Sequence, residues 1–235
     1  MTEELFREDA YARDCEAEVV AVNDRGGIVL DRTVFYPTGG GQPGDSGVLK
    51  LADGGEIRIA TTVTADEDIV HVPEEGQDLP APGAAVTAEI DWDRRHRLMR
   101  MHTAMHLLCS AVPFGVTGGN VREEKSRIDF DIGEESLDKE QITAELQRLV
   151  AEDHPTGARW ITDEELDAQP DLVRTMSVRP PRGAGKIRLM EVEGVDLQPC
   201  GGTHVGRTGE IGNVRVSKIE NKGKRNRRVN IVIED

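Results

Sequence analysis

The sequence predicts an α+β fold: a small antiparallel β-barrel at the N-terminal end, then an α+β domain that binds a metal ion. Three observations carry this. The first ninety residues run as short alternating or β-branched segments, punctuated by Gly, Asp, Asn and Pro. From Asp91-Trp92 the pattern changes, and a stretch without Gly or Pro, about 93–112, places apolar residues at helical spacing. Finally, two short motifs, HTAMH and CGGTH, each set two metal-ligand side chains four positions apart.

The barrel strands are read in CEAEVVAVND, GGIVLDRTVF, SGVLKLAD, EIRIATTVTA, IVHVP and AAVTAEID, with no helical period among them. Several short strands at this spacing suit a small closed sheet. Within them lies FYPTGGGQPGDSG, residues 35–47. Its glycine run suits either a turn needing positive φ or a backbone that comes close to a ligand. It is not a phosphate loop, since it lacks the GKS/T ending and a following helix. The domains divide at 1–90 and 91–235.

Leu98, Met101, Met105, Leu108 and Val112 form one stripe of an amphipathic helix. His102 and His106 then sit one turn apart on one face, where two imidazoles can converge on one ion. Alone, such a pair is weak. Cys200-Gly201-Gly202-Thr203-His204 strengthens it, because Gly-Gly lets a loop fold a thiolate and an imidazole around the same ion. The chain has only six His and three Cys, and four of these nine fall in the two pairs. Zn2+ is therefore the expected cofactor. Cys109, seven residues from His102, is about 10.5 Å up the helix, too far to share the ion. It reads as a packed thiol, and Cys15 as a small apolar filler.

Beyond this helix, GVTGGNVREEKSRIDFDI reads as a loop followed by a strand. DKEQITAELQRLVAE, residues 138–152, reads as a helix with Asp138 and Gln141 as its capping pair. Ile142, Leu146, Leu149 and Val150 form its buried stripe. A short helix follows Thr162 at DEELDAQ. KIRLMEVEG is a strand leading into CGGTH, and IGNVRVSKIEN and RRVNIVIED are closing strands joined by a basic turn.

Three cysteines give no disulfide framework, and the N-terminal MTEELFREDAYARD has no apolar signal segment, so a reducing cytoplasm is expected. The longest uncharged stretch, Met101 to Val121, holds Pro113 and several glycines and is no membrane span. The net charge of −15 argues against indiscriminate nucleic-acid binding. It is unevenly spread: residues 179–235 carry 12 Lys/Arg against 7 Asp/Glu. The cations cluster at 179–188 and 218–228. They form either solvated loops or a dock for a polyanion.

FYPTGGGQPGDSG, HTAMHLL, KSRIDFD and LQPCGGTHVGRTGEIG together span nearly the whole chain. In these motifs it resembles the free-standing alanyl-tRNA editing proteins of the AlaX type, which are similar to the editing domain of alanyl-tRNA synthetase. The resemblance implies hydrolysis of the ester joining serine, or in some members glycine, to alanine tRNA. It implies His102, His106, Cys200 and His204 as zinc ligands, and Gly39, Gly40 and Gly41 as part of the motif that selects misplaced serine. It also points to Thr117, in a loop where members carry a hydroxyl, as a substrate-recognition residue. The expected partner is the acceptor end of tRNA(Ala) carrying a wrong amino acid, and the expected state is a monomer. Arg179, Arg182, Lys186, Lys222, Lys224, Arg225, Arg227 and Arg228 are the candidate phosphate contacts. HTAMH has no Glu between its histidines, so it does not supply the general base of an HExxH metalloprotease.

Overall fold

The computed structural model describes residues 2–176 and 186–234. Arg179 and Arg182 lie outside them. The chain divides into two compact units, Met1–Arg97 and Leu98–Asp235, with the division inside one helix.

The first unit begins with β1 (Glu3–Glu4) and a four-residue helix α1 (Leu5–Glu8). The alternation pattern gave no sign of either. β2 (Asp14–Val22), β3 (Ile28–Leu30), β4 (Arg32–Thr33), β5 (Gly47–Leu51), β6 (Glu56–Ala65), β7 (Asp68–Pro73) and β8 (Ala85–Ile90) follow. Six of these close an antiparallel barrel in the order β2-β3-β7-β6-β5-β8. Alternate residues point inward: Ile57 and Ile59 on β6, and Val86, Ala88 and Ile90 on β8, pack with Leu30, Phe35 and Leu49. Each of the larger of these side chains contributes about 1.5–3 kcal/mol by leaving water. Register shifts after Val19 on β2 and after Ile59 on β6 supply the bends that closure requires. GGIVLDRTVF, read as one strand, is broken into β3 and β4, and β4 pairs with β1 in a separate two-stranded sheet.

Buried polar groups in this unit are matched. Arg95 is fully buried and paired with Asp45; it also donates to the carbonyls of Val34 (2.6 Å) and Ala10 (3.0 Å). Asp45 in turn accepts the Tyr36 N–H at 2.6 Å. Asp45 of the glycine motif is thus committed to structure, since an unpaired buried charge would be strongly destabilising. His71 is also buried, between Thr33 Oγ1 (2.8 Å) and the Ile28 carbonyl (3.0 Å), and burial holds its pKa down to about 4.

α2 (Trp92–Ala111) crosses the division. Its second half is not amphipathic as the stripe implied: every residue from Met101 to Cys109 is buried, including His102, Thr103 and His106. A helix buried all round is a core element, and its polar residues must then find partners inside.

In the second unit β9 (Gly115–Asn120), β10 (Ser126–Asp131), β14 (Asn213–Asn221) and β15 (Asn226–Glu234) form an antiparallel sheet in the order β14-β15-β10-β9. GVTGGN is therefore a strand rather than a loop. Its glycines hid the strand signal; a Cβ on Gly119 would meet Met105 of α2 at 3.5 Å. α3 (Lys139–Ala151) packs on β14 through Ile142, Leu146 and Leu149. Asp138 caps it by accepting the N–H groups of Glu140 and Gln141. A second, three-stranded sheet runs β11 (Thr156–Ile161), β12 (Ile187–Val192), β13 (Asp196–Pro199), all antiparallel. α4 (Asp163–Asp167), capped by Thr162 with Glu165, packs Leu166 on Ile187 and Leu189. The segment Cys200–Gly206 has no regular structure and leads from β13 to a 3-10 turn at Thr208–Ile211.

Candidate metal centre

His102 and His106 project from α2, and Cys200 and His204 from the loop after β13, all within the second unit. One ligand atom from each lies within 4.8 Å of all the others. Cys200 Sγ is 3.5 Å from His102 Nε2 and 3.3 Å from His204 Nε2. Tetrahedral zinc, with metal–donor distances near 2.0–2.3 Å, puts its donors about 3.3–3.6 Å apart. Cys200 and His102, 98 positions apart, and Cys200 and His204 thus stand at coordination spacing, with His106 inside the same 4.8 Å group.

Surrounding residues fix which ring nitrogen faces the centre. Asp196 Oδ2 accepts from His106 Nδ1 at 2.9 Å, leaving Nε2 for an ion. Gln198 Nε2 donates to the same oxygen at 2.7 Å, and the Arg174 guanidinium lies 3.4 Å from Oδ1. The Thr103 hydroxyl donates to the Met99 carbonyl at 2.9 Å. Its oxygen is therefore left to accept, from Val205 N–H at 3.2 Å and from His204 Nδ1 at 3.3 Å. That sets His204 Nε2 toward the cluster too. Holding a ligand imidazole by its outer nitrogen is how proteins orient metal-bound histidine. Arg188 Nη1 ties down the loop, donating to the carbonyls of Cys200 (2.9 Å) and Gly202 (3.2 Å).

Three imidazoles and a thiol packed this closely shift one another's protonation. Burial pushes the Cys200 thiol up, but the neighbouring His102 and His204 rings outweigh it and leave it well below its usual range. Burial disfavours charge on His106, yet the Asp196 and Cys200 contacts lift it to about 9. Burial takes His204 down to about 3. A thiolate among imidazoles is the donor set of a borderline-soft divalent ion. Cys109, by contrast, is pushed up to about 12 by burial, with Asp196 adding to it, and stays a packed thiol.

Residues 9–94 match the family of class II (A) tRNA synthetases, and residues 187–230 match the second additional domain of threonyl and alanyl tRNA synthetases. The alanyl-tRNA editing protein AlaX-M of Methanosarcina acetivorans is 37% identical over 249 residues, which is 100% of both chains. This chain belongs to the AlaX family of alanyl-tRNA editing proteins. AlaX proteins are aminoacyl-tRNA deacylases, and the chain is accordingly a hydrolase. AlaX-L of Pyrococcus horikoshii is 34% identical over 95% of this chain and 56% of its own length. The alanine–tRNA ligase of Pyrobaculum neutrophilum is 37% identical over 93% of this chain but only 25% of the ligase. The AlaX chain thus corresponds to one part of a synthetase.

The other sequence-derived positions are placed as follows. Thr117 lies on β9, not in a loop, and its hydroxyl donates to the Asp129 carbonyl at 3.1 Å. Gly39, Gly40 and Gly41 belong to the first unit. Gly40 (φ 56°) and Gly41 (φ 83°) are the centre of a tight turn closed by Gly39 and Gln42, which exchange backbone bonds of 3.1 and 2.9 Å. Two successive positive φ values are what glycine accepts at little cost, so the turn reading of this motif is realised. In the basic turn, Arg228 is bidentate to Asp129 (2.7 and 2.9 Å) and Arg225 pairs with Asp131 (3.0 Å). Those two cations are partly spoken for, whereas Lys224 is exposed and Lys222 reaches Glu220 only at 4.0 Å. Asp196, Gln198, Thr103 and Arg188 were not found from sequence. Asp196 lies four residues before Cys200, a spacing that says nothing until β12 and β13 pair.

Proposed function

We propose that this AlaX protein deacylates mischarged alanine tRNA in trans, as a zinc-dependent cytoplasmic monomer, with serine and then glycine as the amino acids removed. The convergence of His102, His106, Cys200 and His204 on one point, in a chain of this family, carries the reading. In the reaction the ester bond to the terminal ribose breaks, water supplies the hydroxyl of the freed amino acid, and the ribose keeps its oxygen as a hydroxyl. Bound zinc supplies a Lewis acid that can hold the substrate amino group or polarise an oxygen. The chain's own residues do the rest. Asp196 and Thr103 hold the imidazoles in register, and Arg188 holds the loop. An aminoacyl ester is already activated, so holding it beside water goes far.

Serine and alanine differ by one hydroxyl. A pocket that requires that hydroxyl rejects the analogue lacking it by about 10⁴–10⁵, far beyond what spare room achieves. Thr117 in the second unit is the proposed recognition group for that hydroxyl, and the backbone of Gly39, Gly40 and Gly41 in the first is proposed separately as a substrate contact. The phosphates of the acceptor end fall to Lys186, Lys222, Lys224 and Arg227, with Arg225 and Arg228 exchanging their carboxylate partners. Incubating the protein with serine-, glycine- and alanine-charged alanine tRNA tests the reading. Release of serine and glycine with alanine spared is expected, and Thr117→Val should lower the serine/alanine ratio. Equal release of all three, or none, overturns it.

A further inference from the structure

β11 is an edge strand on which Gly157, Ala158, Arg159 and Trp160 are all exposed, and Trp160 is 50% exposed. A single exposed aromatic is ordinary. What distinguishes this one is its register. Trp160 pairs directly with Arg188, and Leu189 pairs with Pro199. The Cys200 N–H donates to the Arg188 carbonyl at 3.1 Å, so Cys200 continues the same row. Trp160, Arg188 and Cys200 therefore lie side by side across three strands. Residues directly opposite in an antiparallel ladder share a face. The next row on that face is Ala158, Met190 and Gln198, and the one after it ends in Asp196. This is the face whose Gln198 and Asp196 reach the metal centre through His106. Strands are spaced about 4.8 Å apart, which puts the backbone of Trp160 about 10 Å from that of the Cys200 ligand.

The sheet face beside the centre is buried at Met190, Gln198 and Asp196 and opens at its edge on the Trp160 indole, with the exposed Lys186 just before β12. The two elements suit a single-stranded nucleic acid: an aromatic plane for a base and a cation for its phosphate. We propose that Trp160 is the stacking platform for the terminal base of the tRNA acceptor end, setting the 3′ ester over the metal centre. This rests on the deacylase reading above and adds to it the residue that registers the substrate. The separation is of the order of one nucleotide, so a base on Trp160 leaves its own ribose reaching toward Cys200.

Two measurements test it. Trp160→Ala should raise KM for seryl-tRNA(Ala) about tenfold or more, the usual size of a lost base stack, with kcat within about twofold. Trp160→Tyr should restore most of the affinity, and the metal content of both variants should match the parent. The chain has two Trp, so in a Trp92→Phe background Trp160 fluorescence reports alone. Uncharged alanine tRNA should quench it, and the same tRNA trimmed of its terminal adenosine should not. An unchanged KM in Trp160→Ala, or equal quenching by intact and trimmed RNA, overturns the proposal. Should the protein release no amino acid at all, the editing reading fails while the fluorescence titration still decides where the terminal base binds.

Discussion

Four ligand side chains would make a poor site if their rings were free to turn. Each histidine has two nitrogens, and only one can face the ion. In this chain the choice is made by Asp196 for His106 and by Thr103 for His204. Asp196 is itself constrained by Gln198 and Arg174, with its side chain fully buried. The buried carboxylate keeps its charge because the His106 contact outweighs the cost of burial and holds its pKa below the usual range. Removing the carboxylate frees the His106 ring and lowers its basicity. Asp196→Ala should therefore weaken divalent-metal binding about 10–100-fold, as outer-shell partners of ligand histidines generally do. Competition against a chromophoric chelator measures this. Affinity equal to that of the parent protein would mean that His106 is held by packing alone.

Elements were legible in the sequence where one period dominated and lost where packing overrode it. The barrel strands, α3, α4, β12 and the closing pair β14 and β15 all announce themselves by alternation, stripe or cap. β9 did not, because three of its six residues are glycine. β11 did not either, since an edge strand exposed along Gly157–Trp160 has no buried face to pattern. The candidate ligands that converge could be read because HTAMH and CGGTH are local, whereas Asp196 and Gln198, which hold His106, come from a row of the sheet that no local motif marks. The same non-local logic joins α3 to β14. β14 has a register shift between Val216 and Lys218, and the Val216 N–H there donates to Thr143 Oγ1 of α3 at 3.1 Å. Val216 is fully buried. Thr143→Val keeps the shape but orphans this donor, at a cost of about 1–3 kcal/mol. Thr143→Ser should restore most of the loss. Urea unfolding of the two variants decides it; a Val midpoint at the parent value with Ser below it would place the contribution in the methyl group instead.

At the scale of the whole molecule, the two units depend on different things. The barrel unit is closed on itself by hydrogen bonds, with an apolar centre and a paired Arg95–Asp45. The second unit brings together a helix and a loop 98 positions apart around a cluster of a thiol and three imidazoles. With no ion, three imidazoles and a thiol crowd one buried point, and the loop side is held by scattered bonds, such as Cys200 N–H to the Arg188 carbonyl, rather than by a continuous helical ladder. An ion that binds this arrangement and not the unfolded chain adds its binding free energy to the stability of the second unit. Chelation at neutral pH should accordingly speed amide exchange in α2 from Met101 onward and in Cys200–Gly206. Strands β5 to β8 of the barrel should keep their protection. Hydrogen exchange followed by mass spectrometry resolves the two regions in one experiment. Equal loosening of barrel and metal unit, or protection unchanged in both, would show that the ion does not hold helix and loop together.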